Sequence, residues 1–312
     1  MFNIRSIGGV FERSPGGVRG GILTFWNPGQ IFVDPDVQTL FVSGIAKGYD
    51  FFNPDTSTGG LHSFDLGLGN YKFLSSAYLG NGTLRGHLET ERLFSEYVIY
   101  VSGKARIYIS RIEYDGNDFQ QVLVGGGGFD SWAGSGLTIR QEYDRVFIKG
   151  TGRISSYSLN IDDYILQGLT ESNFRLWDVE GNYLYFVYGS AGQIWKVSIV
   201  TGLVIAPSEL LIDTGWGSEI SAMAIDEEKD YIFWLERNDP NRGVWRATLS
   251  TGADRIKITN PIPEGFGRFD RQITIDKVNE QIYCINRIGG RGEIWRVSYD
   301  GKEIAQLTTY YV

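Results

Sequence analysis

The feature that most constrains the fold of this chain is an internal repeat of 40 to 50 residues. The clearest copies begin with an aliphatic residue, a Trp and a basic residue, continue with alternating apolar and polar residues, and end in a turn with Gly. They are IWKVSIVTG at 194–202, VWRATLSTG at 244–252 and IWRVSYDG at 294–301. ISRIEYDG at 109–116 is a close match, and weaker copies lie at 61–67 and 154–160. Self-similarity at this period is typical of propeller blades, each of which is a four-stranded sheet.

A second motif precedes each copy and consists of an apolar alternation, a polar turn and a second apolar alternation. This is the pattern of a β-hairpin, and its residues are the β-branched and aromatic types that favour strands. The predicted hairpins lie at 30–44, 92–101 (a shortened form), 137–150, 175–187, 222–236 and 272–286. A fourth strand follows the third in several units, for example at 118–124, 255–259 and 303–308.

Each unit therefore contains four strands, and the chain is predicted to be all-β, a six-bladed β-propeller of four-stranded antiparallel blades. The predicted blades lie at about 29–80, 90–125, 136–170, 175–213, 220–260 and 271–312. Residues 1–28 precede them as a strand or arm, in which residues 22–26 either pair with the last blade near 307–312 or contact a neighbouring subunit. Blade 2 is the least regular, since residues 87–94 also suit a short helical turn. The 41 Gly agree with a fold that has many tight turns.

The repeats resemble the YWTD, or low-density-lipoprotein-receptor class B, type of six-bladed propeller. The matching residues are an Asp after the first strand, aromatics in the second strand and an I-x-R-x-x-x-D-G pattern in the third, as at Asp226, Phe233, Trp234 and 294–301. The match is best over 175–312, is weakest in the first three blades, and lacks the YWTD tetrad itself. The resemblance implies the fold and says little about function, because propellers have many functions.

Composition excludes several classes of protein. The chain has 312 residues but one Cys and two His, so it is neither a disulfide scaffold nor a Cys/His zinc protein. The net charge of −8 argues against nucleic acid as a partner. The N-terminal sequence lacks the apolar segment of a secretory signal, and no apolar run approaches the ~20 residues that span a bilayer. We therefore expect no membrane insertion and a location in the cytoplasm or in a virion.

Aromatic and arginine side chains that do not recur in the repeat suggest a binding face. In a propeller, the loops between the second and third strands share one face with the connections between blades. The candidate binding residues are Phe51, Phe52, Trp132, Trp216, Phe266 and Phe269, with Arg237, Arg242, Arg268, Arg287 and Arg291 as a basic patch. Loop aromatics and arginines of this kind can hold a protein, an acidic partner or a glycan. The alternative is that the loops fold over their own aromatics and the arginines are solvated.

Residues that do recur in register are expected to be structural. Trp195, Trp245 and Trp295 should pack between blades, and the Asp that follows several first strands should shape the turn. Cys284 is expected to be a buried small residue, and His62 occupies the position of the recurring Trp. His87 is a single loop histidine and weak evidence for a catalytic base.

These observations favour a non-catalytic propeller that acts as a protein-interaction or structural module, for example as a bacteriophage tail or head–tail subunit. We expect no cofactor and no catalytic residues. Two alternatives stay open: a lactonase-like hydrolase with Ca²⁺ in the central channel, and a carbohydrate-binding propeller. Clusters such as Asp162-Asp163 lie in or beside turns, where carboxylates are expected without a metal.

Overall fold

The structure of the protein is a computed structural model, and it describes residues 24–47, 57–66, 72–75, 84–101, 104–127, 136–141, 144–149, 154–162, 164–166, 174–180, 182–188, 192–200, 203–215, 217–259, 269–288 and 291–307. These residues form 24 strands in six antiparallel sheets of four consecutive strands each. The arrangement is a six-bladed β-propeller with almost no helix, as predicted. No helix in the described ranges is long and apolar enough to cross a membrane.

The first three blades contain strands β1 to β12. Blade 1 consists of β1 (Thr24–Asp34), β2 (Thr39–Lys47), β3 (Ser57–Asp65) and β4 (Lys72–Ser75). Blade 2 consists of β5 (Leu84–His87), β6 (Arg92–Val101), β7 (Lys104–Glu113) and β8 (Gln120–Gly127). Blade 3 consists of β9 (Leu137–Arg140), β10 (Arg145–Lys149), β11 (Ile154–Ser158) and β12 (Tyr164–Leu166).

The last three blades contain strands β13 to β24. Blade 4 consists of β13 (Phe174–Glu180), β14 (Tyr183–Tyr188), β15 (Gln193–Val200) and β16 (Leu203–Asp213). Blade 5 consists of β17 (Ile220–Asp226), β18 (Tyr231–Glu236), β19 (Gly243–Thr248) and β20 (Ile256–Lys257). Blade 6 consists of β21 (Phe269–Asp276), β22 (Gln281–Ile288), β23 (Arg291–Ser298) and β24 (Ile304–Gln306).

The first strand of each blade lies at the centre of the ring, because each first strand contacts the first strands of the two neighbouring blades. We call the side of the disc where first strands turn into second strands, and third into fourth, the turn face. The opposite side, with the longer connections, is the loop face. Trp295 is buried in a cluster with residues of blade 5, as predicted, whereas Trp245 stacks on Trp234 of its own blade at 6.1 Å between ring centroids.

Two features of the first blades differ from the sequence-based expectation. Residues 92–101 form one strand, β6, and its hairpin partner is β5 at 84–87, so residues 87–94 form a turn and strand instead of a helix. Residues 24–26, predicted to pair with the last blade, belong to β1 and pair with β2. The β1–β2 register shifts around Pro28, since proline has no N–H for the ladder.

The ring closes between blades 1 and 6 through side chains. Ile31 and Phe64 of blade 1 share one apolar cluster with Tyr283 and Ile294 of blade 6. The backbone N–H of Val33 also donates to the hydroxyl of Thr274, 3.1 Å away. Residues 1–23 and 308–312, which the predicted arm and closing strand include, lie outside the described residues.

Candidate functional site

A cavity of about 190 Å³ lies where the central channel opens on the turn face, and we call it the channel mouth. Its walls come from all six blades, mostly from the ends of the first strands and the turns that follow them. The lining includes Phe32, Val33, Pro35, Arg85, Leu88, Ile139, Gln141, Val179, Ile225, Thr274, Ile275 and Lys277. Two cationic side chains, Arg85 and Lys277, therefore stand among apolar walls at the axis of the disc.

Side-chain hydrogen bonds between neighbouring blades hold the channel mouth in shape. The Gln141 amide of blade 3 donates to the Gly86 carbonyl at 2.9 Å and accepts from the Leu88 N–H at 3.1 Å, both in blade 2. Gly86 also lies against the Phe32 ring of blade 1, where a Cβ would come within 2.2 Å of a ring carbon. Hydrogen bonds between side chain and backbone thus join blades 2 and 3 at the mouth, and close packing joins blades 1 and 2 there.

The turns around the channel mouth share one capping arrangement. Asp34 and Asp276 are buried, and each accepts backbone N–H groups two and three residues further on. Asp226 accepts the Lys229 N–H in the same way. In blade 2 the Nδ1 of His87 takes this place and accepts from the Thr90 N–H at 3.3 Å. The recurring Asp is therefore a turn residue, as expected, and His87 is a buried cap instead of a loop base.

Two tyrosines connect these capping aspartates to the next blade. The Tyr299 hydroxyl of blade 6 donates to Asp226 Oδ2 of blade 5 at 3.1 Å. Tyr114 of blade 2 stands at the corresponding position, beside Asp34 of blade 1. Burial, with the nearby aspartate as the next cause, raises the pKa of both phenols well above its usual value. The phenols therefore remain neutral donors, which suits a hydrogen bond to a carboxylate.

A second depression, the 5–6 groove, lies between blades 5 and 6 on the turn face and has a volume of about 700 Å³. Its lining includes Lys229, Tyr231, Arg246, Val278, Asn279, Glu280, Ser298, Tyr299, Asp300, Lys302 and Glu303. The Arg246 guanidinium lies over the Tyr231 ring, 4.3 Å from its centroid. Ion pairs at 2.7 Å between Lys229 and Glu280 and at 2.8 Å between Lys302 and Asp300 flank it.

The exposed turns of this face are mostly acidic. Their carboxylates are Asp36, Glu89, Glu91, Asp144, Glu227, Glu228 and Glu280. Two apolar side chains stand among them, Val37 at 51% exposure and Val278 at 66%. A hydrogen bond of 2.8 Å from Asn279 to Gln38 joins the turns that carry these valines. The turn face thus combines an acidic surround, exposed valines, a cavity and a groove.

The candidate binding residues predicted from sequence belong to the loop face, and most of them cannot be placed. Six lie outside the described residues: Phe51, Phe52, Trp132, Trp216, Phe266 and Arg268. Phe269, Arg287 and Arg291 lie on β21, β22 and β23, so their backbone is in strands and not in the loops predicted for them. The loop-face hypothesis stays a prediction.

Arg237 and Arg242 are the two predicted arginines whose side chains are described, and both are engaged within blade 5 or its entry loop. Arg237 forms an ion pair of 2.9 Å with Glu219, and Arg242 lies 3.5 Å from Asp239. Nearby, Glu236 is buried and accepts from the Trp234 indole N–H at 2.9 Å. Burial raises the pKa of the Glu236 carboxyl, although hydrogen bonds and nearby cations oppose this shift.

The cysteine and both histidines of the chain lie in the interior. Cys284 is fully buried, as predicted, and burial raises the pKa of its thiol. His62 and His87 are also fully buried. In the part of the chain that the structure describes, no three His, Cys, Asp or Glu side chains lie close enough together to hold a metal ion.

Sequence reasoning missed the channel mouth and the 5–6 groove. Their residues belong to structural elements, the ends of first strands and the third-strand repeat, and their grouping depends on the ring. One signal was present: Arg246 stands at the repeat's basic position, where Arg111, Lys196 and Arg296 also stand.

Comparison with known proteins supports the fold. No protein-family model matches the chain. No curated protein sequence matches it either. Among solved structures, it is similar to the crystal structure of a nidogen/laminin complex, with a TM-score of 0.55, 11% identity, and coverage of 93% of this chain and 96% of that chain.

Two bacterial propellers are similar to the same extent. An auxiliary nutrient binding protein from Bacteroides thetaiotaomicron has a TM-score of 0.59 and 11% identity, over 88% of this chain and 70% of that one. A putative 6-phosphogluconolactonase from Bacteroides uniformis has a TM-score of 0.51 and 14% identity, over 81% of this chain and 78% of that one. At such identities the likeness concerns the fold alone.

Proposed function

We propose that this propeller is a non-catalytic protein-interaction module that binds a partner protein on its turn face, over the channel mouth. The observation that carries the proposal is the combination of exposed Val37 and Val278 with the ring of exposed turn carboxylates around a rigid cavity. Exposed apolar side chains in a polar rim are typical of interfaces. The partner surface that fits is basic with apolar side chains, because it complements the acidic turns.

The similarity to a propeller in a nidogen/laminin complex supports this proposal at the level of fold, since that propeller is part of a protein complex. A virion neighbour is one form that such a partner can take, and it stays a prediction from the sequence.

A substitution pair tests the docking surface. Val37→Lys places a cation on the blade 1 turn, among the turn carboxylates of the proposed surface. Leu210→Lys adds the same charge on β16, at a side chain that is 42% exposed. Immobilised wild type, Val37→Lys and Leu210→Lys are compared for retention of proteins from the native host by quantitative mass spectrometry. We expect a protein that wild type and Leu210→Lys retain and that Val37→Lys retains at least ~10-fold less, which is ~1.4 kcal/mol.

A partner that Val37→Lys retains as well as wild type does would contradict the turn face as the docking surface. Circular dichroism of the three proteins verifies that each is folded before the comparison is made.

The alternative is a hydrolase with a metal in its channel, which the likeness to a putative 6-phosphogluconolactonase favours. Melting with added calcium and with a chelator separates the two functions. A rise in melting temperature with calcium that the chelator reverses supports the hydrolase, and superimposable curves support the interaction module. A carbohydrate-binding propeller stays a prediction for the loop-face aromatics, Trp132 and Trp216, which lie outside the described residues.

A further inference from the structure

A basic residue recurs on the third strand of four blades, and its surroundings differ from blade to blade. These residues are Arg111, Lys196, Arg246 and Arg296. Each is directly opposite an aromatic residue of the second strand, for example Phe233 opposite Arg246. The side chain then reaches the neighbouring blade: Arg111 donates to the Leu159 carbonyl at 3.4 Å and Arg246 to the Tyr299 carbonyl at 3.3 Å. The recurring residue is thus a connection between blades.

Blades 2 and 4 supply this cation with a carboxylate from their own chain segment. Arg111 forms an ion pair with Asp118, which precedes β8. The Lys196 ammonium lies 3.7 Å from a carboxylate oxygen of Glu209, the residue directly opposite it on the outer strand β16. In blade 6, Arg296 lies opposite Ala305 on β24. The charges of Arg111 and Lys196 are thus compensated within their own blades.

In blade 5 the counterpart of Asp118 is Asp254, and it accepts a hydrogen bond from the Thr248 hydroxyl at 3.2 Å instead of pairing with Arg246. The residue directly opposite Arg246 on the outer strand β20 is Ile256, an apolar side chain that is 43% exposed. Over the described ranges, no carboxylate lies within ion-pair distance of Arg246, which has the Tyr231 ring beneath it and the Tyr299 carbonyl beside it. One hydrogen bond leaves most of the five guanidinium N–H donors available.

Arg246 therefore lines the 5–6 groove without a paired carboxylate. The two lysines that flank the groove are paired with Glu280 and Asp300, so Arg246 is its one cation without a carboxylate among the residues that line it. A guanidinium held over an aromatic ring can bind a carboxylate through two parallel hydrogen bonds.

We propose that Arg246 binds the carboxylate of an acidic side chain of the docked partner in the 5–6 groove, as Asp118 and Glu209 bind the equivalent residues of blades 2 and 4. This inference rests on the proposed function and adds a specific contact to it. The partner that fits is then a basic and apolar surface with one acidic side chain that reaches the groove. Glu303, at the groove, disfavours a second acidic side chain.

The register suggests a variant that closes the site from within. Ile256→Glu places a carboxylate directly opposite Arg246, just as Glu209 faces Lys196, and it changes an exposed side chain. Ile256→Gln is the matched control, because a glutamine side chain has the shape of a glutamate without its charge. Both variants are expected to melt within a few degrees of wild type, with Ile256→Glu the higher of the two.

The probes are a tripeptide blocked at both ends with a central glutamate, its glutamine counterpart, and acetate. Binding is measured from the NMR signal of the Arg246 guanidinium N–H, assigned from the spectrum of Arg246→Lys. We expect wild type and Ile256→Gln to bind the glutamate peptide at least ~10-fold more tightly than the glutamine peptide, and Ile256→Glu to lose this preference.

Equal binding of the two peptides to wild type overturns the proposal, and so does an unchanged preference in Ile256→Glu. Acetate that binds as tightly as the glutamate peptide overturns the assignment to a polypeptide side chain. If Val37→Lys loses a partner that Ile256→Glu retains in the host-protein comparison, the turn face stands as the docking surface and the Arg246 contact does not. If neither variant loses a partner, the proposed function fails independently of the peptide measurement.

Discussion

Blades 5 and 6 share one apolar cluster, whereas blade 2 adds buried hydrogen bonds to the apolar clusters that it shares with blades 1 and 3. Phe233 of blade 5 packs on Tyr299 of blade 6 with 4.4 Å between ring centroids, inside the cluster that also contains Trp234 and Trp295. In blade 2, Ser95 holds the position of Trp234, and Glu96 holds that of Leu235. This strand position therefore makes polar contacts in blade 2 and apolar packing contacts in blade 5.

The polar contacts of the first half form a connected set between blades. Ser95 of blade 2 exchanges hydrogen bonds with the Gln30 amide of blade 1 at 2.8 and 3.1 Å. Glu96, also buried, accepts the Gly136 N–H at the entry to blade 3 at 2.8 Å. Polar pairs need particular partners, while apolar packing tolerates many residues of similar volume. The polar residues of blade 2 therefore depart from the repeat that the last three blades show clearly.

The largest expected effect comes from removing the packing side chain. Trp234→Ala deletes a fully buried indole, and we expect it to lower the free energy of unfolding by ~3–5 kcal/mol. Ser95→Ala, at the equivalent position, leaves the Gln30 amide short of a partner and should cost only ~1–3 kcal/mol. Urea unfolding followed by circular dichroism measures both.

The double variant Gln30→Leu with Ser95→Ala sharpens this comparison. Replacing both partners of a buried hydrogen bond with apolar groups is less costly than orphaning one, so the double variant should be more stable than Ser95→Ala. If Ser95→Ala were as damaging as Trp234→Ala, the distinction between the packed position of blade 5 and the hydrogen-bonded position of blade 2 would be wrong.

An intermediate effect is expected at the tyrosine that joins blades 5 and 6. Tyr299→Phe removes the hydrogen bond to Asp226 and should cost ~1 kcal/mol near neutral pH. The pKa of Tyr299 is raised in the folded protein, so its contribution is fully present below the unfolded pKa of ~10 and is lost as the pH rises further. Denaturant titrations at pH 8 and pH 10.5 should therefore show a steeper alkaline loss for wild type than for Tyr299→Phe.

Tyr183→Phe is the control for this measurement, since Tyr183 is 38% exposed. Parallel alkaline curves for wild type and Tyr299→Phe would show that the phenol titrates alike in the folded and unfolded chains, against the expectation.

The smallest effect concerns one position that differs between blades 5 and 6. Glu236 ends β18 where β22 has Asn286, and burial raises the pKa of the Glu236 carboxyl. A raised carboxyl pKa means that stability is highest below its unfolded pKa and falls as the pH rises through the folded pKa. Glu236→Gln keeps an oxygen for the Trp234 N–H and should raise the unfolding free energy at pH 7 by up to about 1 kcal/mol.

Near pH 4 the gain should shrink, because the glutamate is then largely neutral. Glu227→Gln, at an exposed turn residue, serves as the control and should change little at either pH. A Glu236→Gln variant less stable than wild type at pH 7 would mean that nearby cations outweigh the burial of the charge.

Much of the fold was predictable because its signals are local. Strand alternation and turn residues predicted the hairpins of blades 1, 3, 4, 5 and 6, and recurrence in register predicted the buried role of Trp295 and the turn role of Asp226. Blade 2 was harder, since β5 has four residues and its turn is capped by His87 instead of Asp. A short strand gives too few alternations to be recognised without its neighbours.

The sequence by itself determined the blade count, the strand order and the class of residue at each repeated position, because these follow from patterns within about 50 residues. Only the tertiary structure decided how the ring closes and where its cavities lie. Val33 and Thr274, which share a hydrogen bond, are 241 residues apart in the sequence. Arg246 of blade 5 donates to the Tyr299 carbonyl of the neighbouring blade 6. Such contacts arise from the closed ring, which brings together side chains that no local pattern relates.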